Sequence, residues 1–202
     1  LKKIIFISTI FLILSCEKNT MEIRYYRSDQ SISIERSKFI GLDTTKLNFR
    51  QITEELLDFN DHDKKVVVEF MDGNIKKRVI PHLYGLGYIR EKNVLEIKSD
   101  SILIDDNYPI SELKRILKRH YLNKGEIAYY SESPKRALVL ITNDSNKNGK
   151  ELKEILTKLT RTFDEIKLEI KDTIELRVFF DYLRQMPKYP IPPKPLKIEI
   201  AK

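Results

Sequence analysis

The chain has 202 residues, 41% of them hydrophobic and 33% charged, which is enough apolar material for a real core and enough charge for a wetted surface. A disordered tail is excluded, and one or two domains are expected. The formal charge of +7 falls to +5 once Lys2 and Lys3 leave with the leader, and lysines interleave with acids along the chain. A solvated surface explains this better than a nucleic-acid footprint, so no nucleic-acid partner is expected.

Residues 1–15 read as a targeting segment. Lys2 and Lys3 precede an apolar run from Ile4 to Leu14. As a helix that run would cover about 16 Å, roughly half of a ~30 Å hydrocarbon core, so it is too short to span comfortably and fits a secretory signal. Ile13-Leu14-Ser15-Cys16 resembles the bacterial lipobox, although Leu14 stands where a small residue is more typical. The resemblance implies cleavage between Ser15 and Cys16 and acylation of Cys16, with diacylglycerol and then an N-acyl chain such as palmitate. Two or three acyl chains give stable attachment where one does not. Cys16 is the only cysteine, so the exported part must fold without a disulfide. Residues 16–29 are then anchor and tether.

Beyond the tether the pattern is α/β of the α+β, two-layer kind, as two tandem β-α-β-α-β units at 30–98 and 99–171, each a small sheet with helices on one face. In the first unit SISIERSKFIGLD reads as a strand pair. NFRQITEELLDF is a helix with Phe49, Ile52 and Leu56 on one face, and KKVVVEF is a buried strand. NIKKRVIPHLYGLGY reads as a helix through Val79, Leu83 and Leu86, with Pro81 forcing its start or a kink, and NVLEI closes the unit as a strand.

The second unit follows the same order. LEIKSDSILIDD gives strands, and ISELKRILKRHY a helix capped by Ser111 with Leu113, Ile116 and Leu117 inward. GEIAYYSESPK adds a strand or hairpin. RALVLITND is a strand, GKELKEILTKLTRTF a helix through Leu152, Ile155, Leu156, Leu159 and Phe163, and IKLEI a closing strand. Phe49 and Ile52 match Leu113 and Ile116 at a lag of 64, and Leu95-Glu96-Ile97 matches Leu168-Glu169-Ile170 at 73, so a duplication is expected.

Each unit resembles the periplasmic domain of the ExbD/TolR family, whose members serve proton-driven TonB and Tol transport. The strings that carry the likeness are KFIGLD, SILIDD and LYGLGYI, over residues 30 to 171. Members that use the proton gradient carry an aspartate in an N-terminal transmembrane helix. Residues 1–15 contain no acid, so the proton-carrying role is not expected. What the resemblance leaves is a non-catalytic module that binds peptidoglycan or an envelope protein, or forms a homodimer, on a membrane of the bacterial envelope. The outer membrane facing the periplasm is favoured over the inner membrane or the cell surface.

Residues 172–202 are read as a helix followed by a Pro-rich extended tail. Asp172 and Glu175 fit a capping box, with Leu176, Phe179, Phe180 and Leu183 at helical spacing, but Ile174, Leu176, Val178 and Phe180 also alternate as a strand would. MPKYPIPPKPLKIEI is expected to lie extended across its own domain, or to add a strand to a partner.

No catalytic residue, cofactor or metal site is expected. His62, His82 and His120 lack ligand spacing. NDSNKNGKEL lacks the first glycine and the hydroxyl of a phosphate loop and reads as a helix cap, and DFNDHDKK lacks the spacing of a calcium loop. The rival to a binding lipoprotein is an exported enzyme whose groups meet only in space, with His82, His120 or the Asn143-Asp144 strand end as candidates.

Overall fold

The structure, a computed structural model, describes residues 21–27, 36–58, 65–82, 89–105, 107–170 and 173–182. The signal segment, the lipobox with Ser15 and Cys16, His62, the LYGLGY string and the Pro-rich tail lie outside these residues.

Strand β1 (Glu22–Tyr26) begins inside the segment expected to be tether. It is followed by β2 (Lys38–Gly41), α1 (Phe49–Asp58), β3 (Val66–Asp72) and β4 (Ile75–Val79). These strands form a sheet in the order β1-β4-β3-β2. The β2-α1-β3 crossover joins parallel neighbours, and Phe49, Ile52 and Leu56 turn the helix's apolar face inward. Asn48 and Gln51 exchange side-chain-to-backbone bonds of 2.9 and 3.0 Å, a capping box that fixes where α1 starts.

The helix expected over 74–88 is corrected to β4 over its described part. Gly73-Asn74 is a two-residue turn joining β3 to β4, with Gly73 at φ +60°, a value that favours glycine. Pro81 lies just beyond β4, buried.

A second sheet has the order β7-β6-β5-β8-β9, from β5 (Val94–Lys98), β6 (Ser101–Leu103), β7 (Tyr108–Pro109), β8 (Leu138–Thr142) and β9 (Val178–Phe180). NVLEI therefore does not close the first sheet. It lies parallel to β8 in the centre of the second. Helix α2 (Leu113–Leu122) leads into the turns of 124–136, where a strand or hairpin was expected, and thence to β8. Ser111 does not cap α2, because it sits inside a 3-10 turn (Ile110–Glu112) and Glu112 takes the cap position without a side-chain bond. Helix α3 (Gly149–Glu169) crosses from β8 to the parallel β9.

Two further expectations fail for one reason: short apolar alternations are ambiguous out of context. IKLEI continues α3, with Ile166 wholly buried and Leu168 89% exposed, so the match at lag 73 pairs a strand with a helix. The helix expected from residue 172 is instead an extended run into β9. Ile174, Leu176, Val178, Phe180 and Tyr182 all enter the core, a spacing of two. The match at lag 64 does pair two helices, α1 and α2.

The chain is thus mixed α+β, with two sheets and three helices among the described residues. One apolar cluster runs through both sheets, from Val68 and Phe70 to Leu95, Ile97, Val139 and Ile141. Helix α3 joins them. Leu152, Leu156 and Leu159 are fully buried, while Thr160, Arg161 and Asp164 bond residues of β1, β3 and β4. Backbone bonds reinforce the joint, from Phe49 N–H to the Lys147 carbonyl at 2.7 Å and from His82 N–H to the Val178 carbonyl at 2.6 Å.

Candidate functional site

Where the end of β1 meets the C-terminal half of α3, the segment 173–177 and the loop before β8, the surface opens into a cleft of about 690 Å³. Its aromatic wall is Tyr26 and Phe163; Tyr25 touches the rim, its side chain turned to the other face of β1 towards Arg78. Tyr26 meets Phe163 edge-on at 6.3 Å, and its hydroxyl donates to Asp164 Oδ2 at 2.8 Å. Burial, with Asp164 adding to it, pushes the Tyr26 hydroxyl well above its ordinary range, and its proton is committed to Asp164.

The facing wall is held by α2 and β8. Tyr121, fully buried, donates its hydroxyl to the Glu175 carbonyl at 3.0 Å, and Val139 N–H donates to the Arg177 carbonyl at 2.9 Å. Arg177 in turn donates through Nη1 to the Lys135 carbonyl, tying the wall to the loop before β8. These bonds fix segment 173–177 although it is neither helix nor strand.

The charge of the lining is one-sided. Arg27, Lys135, Lys167 and Arg177 face the cleft against one carboxylate, Glu175. Lys135 and Lys167 are exposed, and Arg27 stands at φ +88°, a backbone state that non-glycine residues adopt at a cost and that often marks a functional position. Cations rimming an aromatic wall suit an anionic ligand with a planar or apolar part, with the exposed ammonium groups of Lys135 and Lys167 as its charge partners.

The residues singled out in the sequence fall elsewhere or at the margin. His82 is half-buried behind the cleft wall, its Nε2 3.4 Å from Arg177 Nε. His120 is fully buried: Nδ1 accepts from Ser131 N–H at 3.3 Å, so Nε2 carries the proton and donates to the Asn93 carbonyl at 3.2 Å. Burial is the main cause that lowers its pKa to about 4, with the Asn93 carbonyl opposing. It is a neutral pin for the loop after α2, in a network where the Ser131 hydroxyl donates to Asn93 Oδ1 at 3.1 Å. Asn143 accepts from the Ser99 hydroxyl at 2.9 Å, and Asp144 accepts from Asn146 N–H in a tight turn. The loop NDSNKNGKEL is the helix cap expected of it: Asn148 and Glu151 form a capping box at the start of α3.

Among the described residues, no three His, Cys, Asp or Glu side chains gather as metal ligands, and no helix is long and apolar enough to cross a membrane. The cleft residues carry no motif. Tyr25, Lys135, Lys167 and Arg177 come from four separate parts of the chain, and only the fold brings them together. The chain matches no protein-family model, no characterised protein and no solved structure.

Proposed function

We propose that this protein is a non-catalytic binding module, fixed to a bacterial envelope membrane through Cys16, whose cleft takes an anionic ligand. The observation that carries the reading is the cleft itself: four cations and one carboxylate around Tyr26 and Phe163. For an exported, anchored chain, the abundant ligand of that chemistry is peptidoglycan, with its peptide carboxylates and sugar faces. The ExbD/TolR resemblance of KFIGLD and SILIDD would make it an accessory to a TonB/Tol-type system.

The test is co-sedimentation of the mature chain with purified peptidoglycan sacculi, comparing the native protein with Lys135→Glu/Lys167→Glu. Both side chains are exposed, so the double variant should fold as the native chain does. Binding that weakens by at least about tenfold, and that falls as salt is raised, supports the reading. Absence of binding by the native protein, or equal binding by both proteins, overturns it.

A further inference from the structure

We infer that the exposed stripe of Met21, just before β1, and Ile23 and Tyr25 on β1 rests on the lipid surface that holds the anchor, and so sets the orientation of the domain on the membrane. The inference rests on acylation of Cys16. The three side chains are 49%, 42% and 44% exposed. They alternate along β1 with Arg24 and Tyr26, whose side chains turn the other way to bond Asp164 of α3.

The register of β1 on β4 gives the stripe cationic neighbours. Ile23 lies beside Lys76 and Tyr25 beside Arg78. Arg78 Nη1 donates to the Tyr25 hydroxyl at 2.6 Å, and its guanidinium lies over the Tyr25 and Phe39 rings at 5.5 and 4.8 Å. Glu69 is the carboxylate that faces both cations, at 3.7 Å from Lys76 and 3.1 Å from Arg78. An apolar strip ending in a tyrosine and backed by a lysine and an arginine matches the layering of a phospholipid interface, where tyrosine sits at the headgroups and cations reach outward.

Distance favours the same occupant. Four residues, hence five Cα–Cα steps, separate Cys16 from Met21. Even fully extended they reach about 18 Å, so the N-terminal end of β1 cannot leave the neighbourhood of the headgroups. At that effective concentration a weak contact suffices, since the anchor has already removed the translational freedom that an unattached protein would lose.

The chain contains no tryptophan, which makes a single indole a clean reporter. The lipidated, full-length mature protein is reconstituted in phosphatidylethanolamine/phosphatidylglycerol vesicles carrying brominated acyl chains, as Tyr25→Trp and, for reference, Tyr129→Trp on the exposed loop after α2. The Trp at position 25 should shift to the blue and lose about half of its emission, while the reference loses little. Ile23→Trp repeats the measurement should the first variant misfold. Protein that sediments with vesicles but shows no quenching at either β1 position overturns the inference and leaves the anchor standing. Equal quenching at position 129 also overturns it. Protein that does not sediment shows that the anchor itself fails, and the inference falls with it. An Ile23→Cys variant that forms disulfide dimers without any quenching at position 25 overturns it in favour of a second copy of the chain.

Discussion

Lys77 Nζ lies 2.8 Å from Asp72 Oδ2 inside the protein, with the two side chains only 2% and 8% exposed. Lys77 also donates to Thr160 Oγ1 at 2.9 Å, and Arg161 grips Asp72 from α3. The pair is therefore asymmetric. Lys77→Met leaves Asp72 with Arg161 and should cost no more than about 1.5 kcal/mol. Asp72→Ala strands a buried ammonium and should cost about 3–5 kcal/mol. Urea denaturation of both variants reads the difference, and equal losses would show that the two charges do not depend on each other in this way.

Asp72 also gives an acid limb. The Arg161 hydrogen bond, with Lys77 behind it and against burial, lowers its carboxyl to about 2. A depressed folded pKa means that the stabilisation is present above the unfolded value near 3.8 and is lost as pH falls towards 2.

His120 acts in a different window. Its folded pKa of about 4 lies below the ordinary 6.5, so on acidification the unfolded chain takes the proton first. Stability is full above pH 6.5 and falls as pH drops towards 4, by something on the order of 2–3 kcal/mol. His120→Phe should flatten the curve between pH 7 and pH 4.5. It should also cost about 2–4 kcal/mol at pH 8, because the Asn93 carbonyl and Ser131 N–H lose their partner. A native chain equally stable at pH 7 and pH 4.5 would contradict this account.

The contrast between Lys77 and Val68 explains which parts of the fold were legible. Val66, Val67 and Val68 are all buried, and an unbroken β-branched run announces a strand whatever surrounds it. Helix α3 was equally plain, because Leu152, Ile155, Leu156, Leu159 and Phe163 keep a 3.6-residue period. In β4 the inward positions carry Ile75, Lys77 and Val79, and a lysine in the middle erases the alternation. Val79 with Leu83 and Leu86 then suggests a helix. Only the carboxylate of Asp72 and the hydroxyl of Thr160, neither of which a local pattern can see, make an inward lysine tolerable there. The cleft was hidden more thoroughly. Its cations are ordinary surface lysines and arginines in the sequence, and a spacing of 108 residues between Arg27 and Lys135 carries no signal before folding.

Gly149, at the end of a loop placed where a phosphate loop would sit, serves packing instead. A Cβ there would lie 2.5 Å from Thr45 Cγ2 and 3.6 Å from Leu42 Cδ2. The start of α3 is pressed against the loop after β2, and the backbone bonds from Phe49 and Arg50 to Lys147 and Ser145 hold it there. Gly149→Ala should therefore cost about 1–3 kcal/mol by overpacking, although alanine is the better helix former. Asn148→Ala, which removes the capping box without a clash, should cost about 1 kcal/mol. If thermal melts show Gly149→Ala to be stabilising, the close approach of these two segments is wrong.

The proposed anchor makes the broadest prediction, because it would govern where every other property is exercised. Cys16 is the sole thiol, so Cys16→Ser removes the acylation position and changes no other sulfhydryl chemistry. In cells the native chain should run as a processed form in the membrane fraction and partition into detergent. Cys16→Ser should either appear in the soluble fraction or keep its leader and run heavier than the processed form, since acylation precedes cleavage in this route. The residual apolar run of eleven residues is too short to hold the unprocessed chain as firmly as two or three acyl chains would. Alkaline carbonate washing discriminates: the native protein should stay with the membrane and the serine variant should be extracted. A variant of unchanged size that resists extraction as the native protein does would refute lipidation at Cys16, and with it the placement of β1 against the headgroups.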